Sequence, residues 1–185
     1  MPGIIAKVAI AALALGVAAN AVLAQTMRQR REQRAKEPAA PVVSVDPRDS
    51  IVTAAGAFSG RPYWLALARC GGIYFKLNTL YSDAAVRARV VTPNPTANSE
   101  FTRKLNEAIQ IATTYLDGAE HFLMSERGLE RVDTVLIYDG QMWAAGERLR
   151  SIDAAVAAAK PCPALYQACR AGHPKMCNES LVSIH

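Results

Sequence analysis

From Arg61 to Tyr81 the chain reads RPYWLALARCGGIYFKLNTLY. Tyr63, Ala66, Cys70, Ile73, Leu77 and Leu80 recur at alternating spacings of three and four, the seam of an amphipathic helix. Trp64, Leu67, Gly71, Tyr74, Asn78 and Tyr81 make a second stripe beside it, while Arg69, Lys76 and Asp83 mark a flank open to water. Pro62 suits a first helical position, where its missing N–H costs nothing. A helix apolar around half its circumference packs among several partners, so Arg61–Tyr81 is expected to be central. Gly71 and Gly72 fall in its middle, each costing about 1 kcal/mol relative to Ala. Together they predict a close helix crossing.

The same rhythm predicts two more long helices. Pro93 and Pro95 forbid a continuous helix through Ala84–Ala97. Asn98 or Ser99 can then cap a helix over Ser99–Arg127, and Gly128 can end it. Phe101, Leu105, Ala108, Ala112, Tyr115, Ala119 and Phe122 trace its apolar face. Over Leu129–Ala159 the series Val135, Tyr138, Met142, Ala145, Leu149, Ile152 and Val156 runs without interruption. Asp139–Gly140 between apolar runs suits a hairpin turn, but the rhythm continues on both sides of it, so a helix is expected. In the tail, Pro163 opens a short helix that Gly172 closes, and Pro174 opens another reaching Ser180. Ser50–Phe58 is read as a short helix leaning on the domain. The expected fold is all-α: a small helical bundle of three long helices and two short C-terminal ones over residues 51–185.

The first residues change the picture from fold to compartment. Met1–Ala24 carries one lysine, an apolar run over Val8–Ala19, and Val22 and Ala24 ahead of Gln25, the layout of a secretory signal. Arg28, Arg30, Arg31, Arg34 and Lys36 follow at once, and such a cluster prefers the cytoplasmic side of a membrane. Residues 1–24 are therefore read as a signal peptide or, over residues 3–24, an inner-membrane anchor. Residues 25–50, basic and then Pro-rich, are read as a disordered linker. The net charge of +5 is concentrated there, and from Pro38 onward the charges nearly balance. This argues against nucleic-acid binding and for contact of the five basic side chains with anionic lipid headgroups.

Cys70, Cys162, Cys169 and Cys177 form an even set in a chain with an export signal, which predicts two disulfides. Cys162 and Cys169 on one helix would stand about 10.5 Å apart, beyond the ~7 Å that a disulfide spans between Cα atoms. A chain reversal near Gly172–His173 brings Cys169 opposite Cys177, leaving Cys70 for Cys162.

Little in the sequence points to chemistry. A nucleophile elbow, a phosphate-binding glycine loop, His-Glu-x-x-His and Cys-x-x-Cys are all missing. Asp117 and His121 stand one helical turn apart with Glu120 between them, which is half a metal site at most. His173 is assigned to the turn and His185 to the chain end. Trp64 and Trp143 are read as core or interface anchors. No catalytic, cofactor or metal-ligating residue is assigned, and the four cysteines are structural. In general style the chain resembles short exported helical bundles of Gram-negative bacteria. The expectation is a periplasmic or secreted, non-catalytic protein that binds a protein partner in the cell envelope, as accessory subunit, adaptor or inhibitor. The alternative is a carrier of a small ligand or metal in an interior opened by Gly71, Gly72 and Gly118.

Overall fold

The computed structural model describes residues 45–91 and 93–177. The expected export signal, the basic cluster Arg28–Lys36, most of the linker and His185 lie outside the described residues. Five helices follow one another: α1 (Tyr63–Val90), α2 (Pro95–Arg127), α3 (Arg131–Glu147), α4 (Ile152–Ala159) and α5 (Cys162–Gly172). Among the described residues there is no strand, only an isolated antiparallel bridge between Ile51 and Pro62. The all-α bundle expected from the periodicity is the observed fold.

α1 is the element the others gather around. Tyr63, Trp64, Ala66, Leu67, Ala68, Cys70, Gly71, Gly72 and Ile73 are all buried, so its first half is enclosed on nearly every side. α2 runs back along it, with Tyr63 stacked on Phe122 at 5.3 Å and Tyr74 on Tyr115 at 5.6 Å. The Asn78 side chain, midway along α1, donates to the Leu105 carbonyl of α2 at 2.9 Å. α3 runs parallel to α1 and lies directly on Gly72, while Gly71 faces Leu116 of α2. A side chain at Gly72 would collide with the Met142 carbonyl, and one at Gly146 would meet the Gly72 carbonyl at 3.1 Å. The paired glycines are thus a close helix crossing, as their position suggested. α5 returns antiparallel to the start of α1, joined to it at one end by the Cys70–Cys162 disulfide and at the other by Tyr63 against His173. The second disulfide, Cys169–Cys177, closes the turn after α5. Both pairings are those derived from helix geometry, and all four sulfurs are bonded. Two bridges fit a chain that matures in an oxidising, non-cytoplasmic compartment. Among the described residues no helix is long and apolar enough to cross a membrane.

Helix ends depart from expectation. α1 continues nine residues past Tyr81 because Ala84, Ala85 and Ala88 keep an apolar face against α2. α2 starts at Pro95, not Ser99; the Asn94 side chain accepts from Ala97 N–H at 3.0 Å and Pro95 takes the first turn. Gly128 ends α2 in the left-handed conformation (φ 66°). The long third helix is in fact two: the chain leaves α3 after Glu147, and Ser151 caps α4 by accepting from Ala154 N–H at 3.2 Å. The tail after α5 is a turn through Cys177 where a helix from Pro174 was expected.

Residues 46–62 form a strap, not the expected Ser50–Phe58 helix. Gly56 and Gly60 both take positive φ, and Val52 exchanges backbone hydrogen bonds with Gly60 and Arg61. The folded domain reaches back to Asp46. The Asp49 side chain, with no solvent exposure, receives both Nε (2.8 Å) and Nη2 (2.6 Å) of Arg127 at the end of α2. Arg127 in turn covers the Trp64 ring at 5.1 Å. Ser50 N–H donates to Glu126 at 3.0 Å.

Candidate interaction site

α3 holds the bundle with a narrow inner face. Thr134, Met142 and Gly146 are its buried residues, and Gly146 together with Gly72 brings the two backbones into contact. That economy leaves the other side of the helix to solvent. Val132 is 64% exposed, Leu136 70% and Trp143 48%, although each is a large apolar side chain. They lie at spacings of four and seven, so they share one face. Trp143 is not loose: its ring and that of Phe75 of α1 pack edge to face at 5.4 Å. Asp139 falls three residues after Leu136 and four before Trp143, within the same stripe, and Asp133 and Glu147 are exposed near its two ends. The surface is therefore an apolar ridge with acidic groups in and around it. Single exposed apolar residues are ordinary; three large ones on one face of a helix are not.

A second concavity lies between α1, α2 and α4, a groove of about 500 Å³. Leu77, Ala108 and Ala159, all buried, form its floor. Tyr74, Tyr81, Ile111 and Val156 wall it. Arg103, Lys104 and Lys160 stand at its rim against one carboxylate, Glu107. Arg103 pairs with Glu107 at 3.0 Å, and Lys104 with Glu100 at 2.6 Å. Lys104 also lies over the Tyr81 ring at 5.9 Å. Its bond to Glu100 holds its ammonium charge more firmly than usual. Burial raises the Tyr74 phenol above its ordinary value, and Glu107 adds to the effect.

The residues weighed in the sequence fall apart in space. His121 is exposed, its Nδ1 3.4 Å from the Met176 carbonyl. Glu120 is nearly buried and pairs with Arg131 of α3 at 2.9 Å, so it fastens two helices. Among the described residues no three His, Cys, Asp or Glu side chains gather as a metal site would need. His173 sits in the turn after α5, edge-on to Tyr63 (5.0 Å) and Phe122 (5.2 Å). Trp64 is fully buried, whereas Trp143 stands at the surface. Gly71, Gly72 and Gly118 open no cavity: Leu116, the Met142 carbonyl, and Leu67 with the Cys177 Sγ occupy the space beside them.

Sequence reasoning missed the outward face of α3, since Val132, Leu136 and Trp143 fall outside the seam it traced. It also missed the groove, because Val156 and Pro163 reach it only through the break at Arg148–Ser151. A serine three residues before Ala154, with Asp153 in the first turn, was the available signal for that break. Compared with protein-family models, with curated proteins and with solved structures, the chain gives no match.

Proposed function

We propose that this chain is a non-catalytic binding protein of the bacterial cell envelope, an accessory subunit, adaptor or inhibitor that docks a partner on α3. The observation that carries the reading is the Val132–Leu136–Trp143 stripe, exposed on a helix whose other side is locked to α1. Its occupant is a partner helix with an apolar face and a basic residue opposite Asp139. Complementary charge favours this over a second copy of the chain, which would set Asp139 and its acidic neighbours against their like. A buried aromatic anchor beside smaller apolar contacts is the usual energetic centre of such an interface. The N-terminal segment would direct export, and Arg28, Arg30, Arg31, Arg34 and Lys36 would meet anionic lipid headgroups. The two disulfides favour the exported location.

A photo-crosslinking residue placed at Leu136 in cells tests this. A single adduct with one protein is expected, crosslinked within a basic amphipathic helix, and Asp139→Lys should abolish it. A residue placed at Gln167 on α5 should give none. An adduct of twice the chain's own mass, or no discrete adduct, would reject the reading.

A further inference from the structure

The groove between α1, α2 and α4 is independent of the α3 ridge and has the chemistry of a ligand site. Its volume of about 500 Å³ falls in the range that holds a small molecule. Its floor is wholly apolar, so a ligand must bring hydrocarbon. Of the three cations at its rim, Arg103 is paired with Glu107 and Lys104 with Glu100, whereas Lys160, exposed at the end of α4, makes no ion pair among the described residues. Pro163, in the first turn of α5, lines the groove as well, so the positive end of that helix dipole borders the groove. Tyr74 and Tyr81 offer flat walls with polar tips. An uncharged chain would leave Lys160 unanswered, and a two-chained lipid exceeds the space.

We propose that this groove binds a small single-chain amphiphilic carboxylate, its hydrocarbon along Leu77, Ile111 and Val156 and its carboxylate among Lys104, Lys160 and the start of α5. Binding of this kind would make the protein a reader or carrier of a soluble amphiphile.

Titrating the full-length oxidised protein with decanoate, followed by backbone amide NMR, tests it. Saturable shifts should gather at Leu77, Ile111 and Val156. Decanol should bind about tenfold more weakly, the worth of one charge-assisted contact, and acetate should not bind. Val156→Glu should abolish decanoate binding. Lys160→Glu, on an exposed side chain that cannot disturb the core, should weaken it about tenfold and carries the test if Val156→Glu fails to fold. Leu136→Glu on α3 should change nothing. Equal binding of decanol and decanoate, shifts elsewhere than the groove, or indifference to Lys160→Glu would overturn the proposal. Decyl phosphate binding tenfold more tightly than decanoate would overturn the carboxylate assignment.

Discussion

Asp49 shows how much one side chain can decide. Burial works against its charge, but Arg127, the Asp46 N–H and the nearby Trp64 indole outweigh it and hold its carboxyl below the usual value. The indole N–H is buried with no partner in proper hydrogen-bonding geometry among the described residues, so its help is electrostatic. A carboxyl with a lowered folded pKa contributes stability above its unfolded value, near 4, and loses it as pH falls through the folded pKa. Urea unfolding across a pH series should therefore show stability draining away below about pH 4. Asp49→Asn should cost about 3 kcal/mol at neutral pH, by taking the counter-charge from the largely buried Arg127, and should flatten that acid limb. Gly72 is the second such residue. Gly72→Ala gains helix propensity of about 1 kcal/mol but drives a methyl into the Met142 carbonyl, and backbone has to move. A net loss of about 1–3 kcal/mol is expected in thermal melts. Gly172→Ala, with nothing within 4 Å of the added carbon, should be close to neutral.

At the level of helices, long-range periodicity was legible and local punctuation only in part. The seam of α1, the glycine crossing and the stop at Gly128 could all be read because each is a steric or packing constraint carried by residue type. The split between α3 and α4 could not, because a four-residue break between helices returned Leu149 and Ile152 to the same apolar phase. For the same reason Val156 passed for core although it is 43% exposed. An apolar residue facing a groove leaves the same mark in a sequence as one facing its own core. The disulfides were legible because helical rise limits which sulfurs can meet. The two differ in what they restrain: Cys70–Cys162 spans 92 residues and Cys169–Cys177 spans 8. Replacing the long pair with serines should lower stability by about 2–4 kcal/mol, and by about 2 kcal/mol more than replacing the short pair. Denaturant midpoints of the two double variants would compare them.

Across the whole domain, the two candidate sites use what the core leaves over. The first half of α1 is enclosed by α2, α3 and α5, and nothing there is free to bind. The α3 ridge lies outside that core, and the groove lies beside the second half of α1, where α4 covers only part of the α1–α2 pair. The even cysteine count pointed to an oxidising compartment, whereas the groove depended on which way α4 turns.

The Cys70–Cys162 bridge has one further effect. It encloses every connection from the end of α1 to the start of α5, including the exposed Pro93–Asn94 before α2 and the turn at Gly128–Glu130. A protease that nicks either place would release no fragment. The cut chain would migrate as an intact species until a reductant is added, and then separate into two. In an exported protein, that ring would let the molecule survive a severed backbone in one piece.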